Sequence, residues 1–358
     1  MKYNRKRICS LCCLFLLLLS AGCRKHSVSV PAGMQSDANS VLYTTETASV
    51  GYPSVPSATV NNQTTFTVTD TAYHAPNVYT SAYEATETTV LPLQVDIAAP
   101  NAGLYNARTM ECLYSRAQTA PVYPASLTKI ITACTALAYV SPETVFTVGT
   151  EQMLVPEGSS LCLIQPGHRL TLGDLLTGML LCSGNDAAYA VAANVAREVA
   201  GYAMSDTQAI AYFAELMNKY VSDLGAANSH FTNPVGWDDA NHYTTVHDLA
   251  LIAAHAMQID TIRNIVSAQS RHVVFASGEN ITWHNTNALL NPESRYYLPQ
   301  ANGMKTGTTE MAGHCLIATV TIDGAEYIAV VAGCDSDDAR YIEVNKLINM
   351  IQSKPLVN

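Results

Sequence analysis

The chain changes its hydrophobic rhythm near residue 95. Between residues 24 and 95 apolar positions show no sustained period, and turn-formers such as Pro31, Gly33, Gly51, Pro53, Pro56 and Pro76 recur. Beyond residue 95, strand and helix periods alternate. Two short strands, 102–105 and 111–114, flank the turn-like Asn106-Ala107-Arg108-Thr109. Pro124-Ala125-Ser126-Leu127-Thr128-Lys129 then runs into Ile130, Ile131, Ala133, Ala136, Leu137 and Ala138, which predicts a helix that begins beside Pro124. A strand at 144–148 and a loop-rich stretch at 158–170 follow. Leu172, Leu175, Leu176, Met179 and Leu180 line one face of a helix started by Thr171, with Asp174 in its first turn. Further helices are expected at 187–200, 213–224 and 244–257, the last capped by Thr245. The stretch 228–237 reads as a loop. Short strands at 273–274 and 281–283 precede a polar turn, His284-Asn285-Thr286-Asn287. Alternating apolar runs at 315–322 and 327–331, joined through Asp323-Gly324, predict a hairpin, and 338–351 a final amphipathic helix.

The first residues follow another rule. Lys2, Arg5, Lys6 and Arg7 precede an apolar stretch at 8–19, the layout of an export signal and too short for a membrane span. Leu19-Ser20-Ala21-Gly22-Cys23 resembles a bacterial lipoprotein signal, although Ser20 stands where leucine is more usual. The resemblance implies a signal peptide at 1–22 and lipid on Cys23. The alternatives are a plain secretion signal or an uncleaved anchor, and each places the rest outside the cytoplasm. Residues 23–95 are expected to form a flexible linker rich in Ser, Thr, Val and Tyr, with no Lys or Arg between Lys25 and Arg108. As a coil it would span on the order of 45 Å. A small β module around residues 64–69 is the alternative. An ordered domain is expected at 96–353, followed by a short tail at 354–358.

Composition narrows the function classes. The 358 residues are 48% hydrophobic and 13% charged, enough for a sizeable core in one large domain or two ordinary ones. A net charge of −10, with no basic cluster beyond the first 25 residues, argues against a nucleic-acid partner. Of ten cysteines, Cys9, Cys12, Cys13 and Cys23 belong to the targeting segment. Cys112, Cys134, Cys162, Cys182, Cys315 and Cys334 form no Cys-x-x-Cys pair, so neither a zinc site nor a thioredoxin-type site is indicated. No metal and no cofactor are expected. Most of these thiols sit in apolar runs and read as small hydrophobes. The second reading is a disulfide, for which Cys315 and Cys334 are the best candidates because the predicted hairpin brings their strands together.

Three polar groups interrupt this apolar pattern. Ser126 and Lys129 are one helical turn apart, so a hydroxyl and an amine share one face at a helix start. An amine whose pKa is lowered by burial or a nearby cation can take the hydroxyl proton, and first-turn N–H groups offer an oxyanion site. Ser183-Gly184-Asn185 joins two apolar helices, where Gly costs helix stability and Ser and Asn prefer turns. Lys305-Thr306-Gly307 lies just upstream of the hairpin, on a strand of its own. Each group alone is a weak signal; the ordered triple, each in the setting its chemistry needs, is strong.

With these three motifs the chain resembles the penicillin-binding serine peptidases, specifically the low-molecular-mass D-alanyl-D-alanine carboxypeptidases. The resemblance covers about residues 98–353. It includes Glu157-Gly158-Ser159-Ser160, the run from Leu175 through Ser183-Gly184-Asn185-Asp186 to Ala188, Phe231-Thr232-Asn233-Pro234-x-Gly236 and His242-Tyr243-Thr244-Thr245. It implies an α/β fold of the α+β type, like β-lactamases and penicillin-binding transpeptidases: an antiparallel sheet flanked by helices plus an all-helical subdomain. It also implies a role for each motif residue. Ser126 would attack the D-Ala–D-Ala carbonyl, with Lys129 as base, and Ser183 would relay protons. Asn185 would bind the substrate backbone, and Lys305 and Thr306 its terminal carboxylate. Gly307 would leave room for a substrate strand, and the N–H groups of Ser126 and Thr308 would form the oxyanion hole. The implied partners are peptidoglycan stem peptides, β-lactams as covalent inhibitors, and a membrane reached through the N-terminal lipid.

Three rival functions differ in testable ways. A class A β-lactamase deacylates with Glu-x-x-Leu-Asn between the second and third motifs, and no such stretch lies between Asn185 and Lys305. An endopeptidase cutting D-alanyl-D-alanine crosslinks would share all three motifs. A non-catalytic wall-binding lipoprotein need not keep a nucleophile. His242 and His314 read as structural, Asp186 as support for its turn or a helix cap, and Trp237 and Trp283 as packing residues. Glu157 reads as loop structure, with a site role as the alternative. About 50 residues follow the third motif, too few for the β-rich domain many relatives carry, so an N-terminal lipid and stalk are expected to replace their C-terminal anchor.

Overall fold

A computed structural model describes residues 95–352 of the chain. The expected signal peptide, the Cys23 lipid site, all but the last residue of the linker and the tail lie outside the described residues. The described chain opens with strands β1 (Asn101–Asn106) and β2 (Cys112–Arg116). Asn106 Oδ1 accepts from the N–H groups of Arg108 and Thr109, which closes the turn between them. Helix α1 (Thr128–Tyr139) follows a 3-10 turn, Ala125–Leu127. A small hairpin of β3 (Val145–Thr147) and β4 (Arg169–Thr171) leads into α2 (Leu172–Leu181), where Thr171 Oγ1 accepts from the Asp174 N–H at 3.0 Å. Helices α3 (Asn185–Ala200), α4 (Asp206–Leu224), α5 (Val246–Ala256) and α6 (Asp260–Val266) come next. Thr245 caps α5 as expected.

The hairpin of β5 (Ser270–Val274) and β6 (Asn280–His284) precedes β7 (Ala301–Thr309), β8 (Gly313–Ile322) and β9 (Ala325–Cys334). Helix α7 (Asp337–Gln352) closes the described chain. One five-stranded sheet, in the order β2-β1-β9-β8-β7 with all neighbours antiparallel, organises the molecule. Its central strands are buried on both faces with period two. Cys315 and Ile317 of β8 and Ile328 and Val330 of β9 face a core shared with α1 to α6. Leu316, Ala318, Val320, Ala329 and Val331 face a second core shared with α7. The fold is the expected α/β arrangement, with an antiparallel sheet, flanking helices and a helical part built from α2, α3 and α4. Among the described residues, no helix is long and apolar enough to cross a membrane.

Three local expectations change. Helix α4 begins at Asp206, seven residues before the start read from its apolar face, because Ser205 and Gln208 form a reciprocal capping box whose first turn is mostly exposed. Helix α6 was not anticipated; its seven residues bury only Ile262, Ile265 and Val266, too short a pattern to separate from the end of α5. Cys315 and Cys334 are both free thiols. Across the ladder Cys334 pairs with His314, so Cys315 and Cys334 point to opposite faces of the sheet and belong to different cores. All six thiols of the described residues are free.

Candidate active site

The site forms where the 3-10 turn before α1 meets β7 and the α2–α3 junction. Ser126 sits on the turn Ala125–Leu127, and the α-helix proper starts two residues later, at Thr128. Ala125 is in the left-handed region with φ of 48°, a costly conformation for a residue with a Cβ. Two neighbours hold it there. The loop carrying Gly236 presses so closely that a Cβ on Gly236 would lie 1.7 Å from the Ala125 carbonyl oxygen. On the other side β7 approaches: a Cβ on Gly307 would lie 3.1 Å from the Ser126 nitrogen and 3.1 Å from the Pro124 oxygen. Glycine at both positions is thus what lets the loop and the strand close on the serine.

Lys129 is fully buried. Its Nζ donates to Ser126 Oγ at 2.8 Å and to the Val235 carbonyl at 3.2 Å. Burial holds its amine well below the ordinary lysine range, and the Lys305 ammonium lowers it further, with Asp186 acting in the opposite sense. Lys305 is buried too, with Nζ donating to the Thr306 carbonyl at 2.9 Å. Burial and then the Arg340 guanidinium pull it down to about 7. Two buried lysines with lowered pKa values, one of them bonded to Ser126, are the electrostatic signature of a site that moves protons.

The second motif lies at the α2–α3 junction. Ser183 is buried with φ of 60°, a second strained non-glycine residue. Cys182 and Asp186, on either side of it, act electrostatically on Lys129, which puts the junction within Coulomb range of the amine. Asn185 Nδ2 donates to Ser159 Oγ at 2.9 Å, and its backbone N–H donates to the Ser160 carbonyl at 2.8 Å. Asp186 does not face the serine. Its oxygens accept from the N–H groups of Cys162 at 2.9 Å and Ile164 at 3.2 Å, so it supports the loop against the second motif.

The third motif lies on β7, as its spacing implied. Thr306 is buried, with Oγ1 2.9 Å from Thr286 Oγ1, and Thr308 is exposed. Sequence reasoning missed Arg340. From α7 it donates to the Gly307 carbonyl at 3.2 Å and to Thr308 Oγ1 at 3.0 Å, while also bonding Asp337. A single buried arginine in an amphipathic helix 35 positions after Lys305 offers no local signal. Ser159, part of the resemblance without a role, and Val235, the open position between Pro234 and Gly236, each hold a motif side chain.

His242 is structural, as expected. Its Nδ1 accepts from the Thr232 N–H at 3.1 Å, so Nε2 carries the proton and donates to Thr128 Oγ1 at 2.9 Å. His314 contacts only the Thr308 hydroxyl in this region, at 3.4 Å. Trp283 packs in the core and donates to the Cys162 carbonyl at 2.9 Å. Trp237, expected to pack, is 44% exposed. Asn233 bonds its N–H and its carbonyl, and this tight turn projects the indole outward. Glu157 lies in an exposed loop. Among the described residues no cluster of ligands that would hold a metal is found.

This geometry has counterparts among known proteins. A sequence profile described as D-alanyl-D-alanine carboxypeptidase, peptidase family S11, matches residues 84–336. The chain is 27% identical over 259 residues to the D-alanyl-D-alanine carboxypeptidase DacF of Bacillus subtilis, covering 72% of this chain and 62% of the relative. It is 30% identical over 262 residues to the D-alanyl-D-alanine carboxypeptidase of Streptomyces sp. K15, covering 71% of this chain and 87% of the relative. The solved structure of the Streptomyces K15 DD-transpeptidase superposes with a TM-score of 0.65 at 30% identity, over 71% of this chain and 97% of that one. Several curated relatives are longer, and the chain spans only 62%, 54% and 55% of three of them. With its three motifs gathered around Ser126, the chain belongs to the D-alanyl-D-alanine carboxypeptidase family, peptidase family S11.

Proposed function

We propose that the chain is a serine-type D-alanyl-D-alanine carboxypeptidase that removes the terminal D-Ala from peptidoglycan stem peptides through an acyl-enzyme on Ser126. One observation carries the reading: the buried amine of Lys129, lowered by burial and by Lys305, lies 2.8 Å from Ser126 Oγ. An amine lowered in this way takes the hydroxyl proton as Oγ bonds to the carbonyl carbon of the penultimate D-Ala. The N–H groups of Ser126 and Thr308 receive the developing oxyanion. That pairing is supported by the close approach of Gly307 to the Ser126 nitrogen. The proton travels through Ser183 to the leaving amine as the C–N bond breaks. A water, deprotonated by Lys129, then hydrolyses the ester.

Substrate binding follows the charges. Lys305 and Thr306 take the terminal carboxylate, and the anion restores the proton to Lys305. Asn185, held by Ser159 and Ser160, presents its amide to the substrate backbone. The carboxylate of penicillin uses the same anchor, and its ring carbonyl acylates Ser126. Cleavage before Cys23, lipid on that residue, a linker over 23–95 and a catalytic unit over 96–353 complete the proposal and place the enzyme outside the cytoplasm.

The test uses the purified chain and a pentapeptide ending in D-Ala-D-Ala. Release of free D-Ala that disappears in Ser126→Ala is expected; unchanged release in that variant would sink the mechanism. A parallel incubation with a crosslinked muropeptide reports endopeptidase action, and preferential cleavage there would overturn the carboxypeptidase reading.

A further inference from the structure

Two thiols that the mechanism does not use meet in the wall of the site. Cys162 lies in the loop that docks on the second motif, and Cys182 immediately precedes Ser183. They are 20 positions apart in sequence, with β4 and α2 between them. The Cys162 sulfur fills the notch left by two glycines that bracket Cys182: a Cβ on either Gly178 or Gly184 would lie 2.9 Å from it. The Cys182 sulfur points back to the same place, donating to the Gly178 carbonyl at 3.1 Å. The two sulfurs thus face one notch, close enough for each to shift the other's pKa.

Their surroundings assign them different parts. Cys162 is buried, and its backbone is clamped at both ends, by Asp186 on its N–H and by the Trp283 indole on its carbonyl. Cys182 is half-buried and close enough to Lys305 and Lys129 to act on both electrostatically. The hydrogen bond from Cys162 pulls the Cys182 thiol down, and Lys305 adds to this, whereas burial pushes Cys162 up. A half-buried cysteine whose thiol pKa is lowered, beside a fixed, buried one, is the arrangement of an attacking and a resolving cysteine.

We propose that Cys162 and Cys182 form a thiol–disulfide modification site in the wall of the active site, which takes a small-molecule or protein disulfide as its oxidant. The Cys182 thiolate attacks one sulfur of the oxidant and expels the other as a thiolate, leaving a mixed disulfide. Cys162 gives up its proton and attacks the Cys182 sulfur, which expels the second thiolate. Two protein thiols lose two electrons and two protons, and the oxidant becomes two thiols. Forming the bond withdraws the Cys182 sulfur from the Gly178 carbonyl. Ser183, held at its strained φ of 60° by the same junction, moves with it. Displacement of a proton-relaying hydroxyl by about 1 Å costs on the order of 100-fold in rate, so the linked form acylates slowly. The disulfide rests on the two sulfurs sharing one notch; its effect on acylation rests on the function proposed above.

The full chain, reduced and then treated with oxidised glutathione, is alkylated, digested without reduction and mapped by mass spectrometry. A cross-linked peptide pair containing Cys162 and Cys182, two hydrogens lighter than the reduced pair, is expected. Labelling of Ser126 by a fluorescent penicillin falls roughly 10- to 100-fold and recovers in dithiothreitol. Cys162→Ser and Cys182→Ser, examined separately so that a folding defect in one leaves the other, each lose the link and keep the same labelling rate with and without oxidant. Recovery of both thiols individually alkylated, after the oxidant has modified other cysteines, overturns the pair. A mapped link that leaves labelling unchanged overturns its coupling to Ser183. If even the reduced protein resists penicillin, the proposed function fails, while the peptide map still decides the thiol pair.

Discussion

At Lys129 two demands meet: the amine must be neutral to act as a base, and it must be held on the serine. Burial and the Lys305 charge favour the first, and the bond to the Val235 carbonyl serves the second. Lys129→Met, close in volume and without an amine, should lower the rate of penicillin acylation about 10²- to 10⁴-fold while the denaturation midpoint changes little. The pH profile is expected to have two limbs. Reactivity falls toward acid as Lys129 gains its proton. It also falls toward alkali as Lys305, at about 7 in the free protein, loses the charge that holds the carboxylate. The Arg340 cation is one cause of that low value, so Arg340→Gln should move the alkaline limb of kcat/KM to higher pH. A limb that stays in place, whatever happens to KM, would show that Arg340 does not act through Lys305. The pairing of Ser126 with Lys129 is plain from the sequence because three residues make one turn. Arg340 is not, because only the docking of α7 on the sheet brings it to Gly307.

Among the elements, the Ser126 turn is held by the loop at 231–237 and by the histidine that ties the two together. His242 has its pKa lowered to about 4 by burial. In the unfolded chain an imidazole titrates near 6.5, so below that value the unfolded state binds the extra proton. Stability therefore falls as pH drops from about 6.5 toward 4 and levels off below, with a loss of about 3 kcal/mol from this residue. Urea titrations at pH 7 and pH 4.5 measure it, and His242→Gln should flatten the slope between them. Gly236→Ala meets both a positive φ and the Ala125 carbonyl. It should cost about 2–5 kcal/mol and, where protein still folds, slow penicillin labelling by displacing the turn. Element reading from periodicity worked for long apolar faces such as α2 and for the β8–β9 hairpin, whose turn residues Asp323 and Gly324 both have positive φ. It failed where little is buried, as in α6, and where a polar cap rather than an apolar face sets the start, as in α4.

For the whole molecule, the fate of the penicilloyl ester follows from what surrounds it. Asp186, the carboxylate that acts on Lys129, has its oxygens engaged by Cys162 and Ile164, and it lies outside any Glu-x-x-Leu-Asn segment. A penicillin-treated sample is therefore expected to carry one adduct per chain, mapped to Ser126 and persisting long after free drug is removed. Rapid regeneration of unmodified protein would mark it as a β-lactamase instead. The helical part and the sheet both supply residues to this site, so a denaturant transition that disrupts either should abolish labelling at once.

What the sequence determined by itself is local or statistical. Helix starts, the hairpin, the three motifs and their order, and the acidic character follow from residue type and spacing within a few turns of chain. The tertiary structure alone decided everything that depends on neighbours distant in sequence. It placed Lys305 close enough to depress Lys129, 176 positions earlier. It brought Arg340 onto the strand that carries Gly307, turned Cys315 and Cys334 to opposite faces of the sheet, and set Cys162 against Cys182. The physical reason is common to all four. Burial and Coulomb forces depend on distance in space, and residue periodicity describes only which face of its own element a side chain occupies.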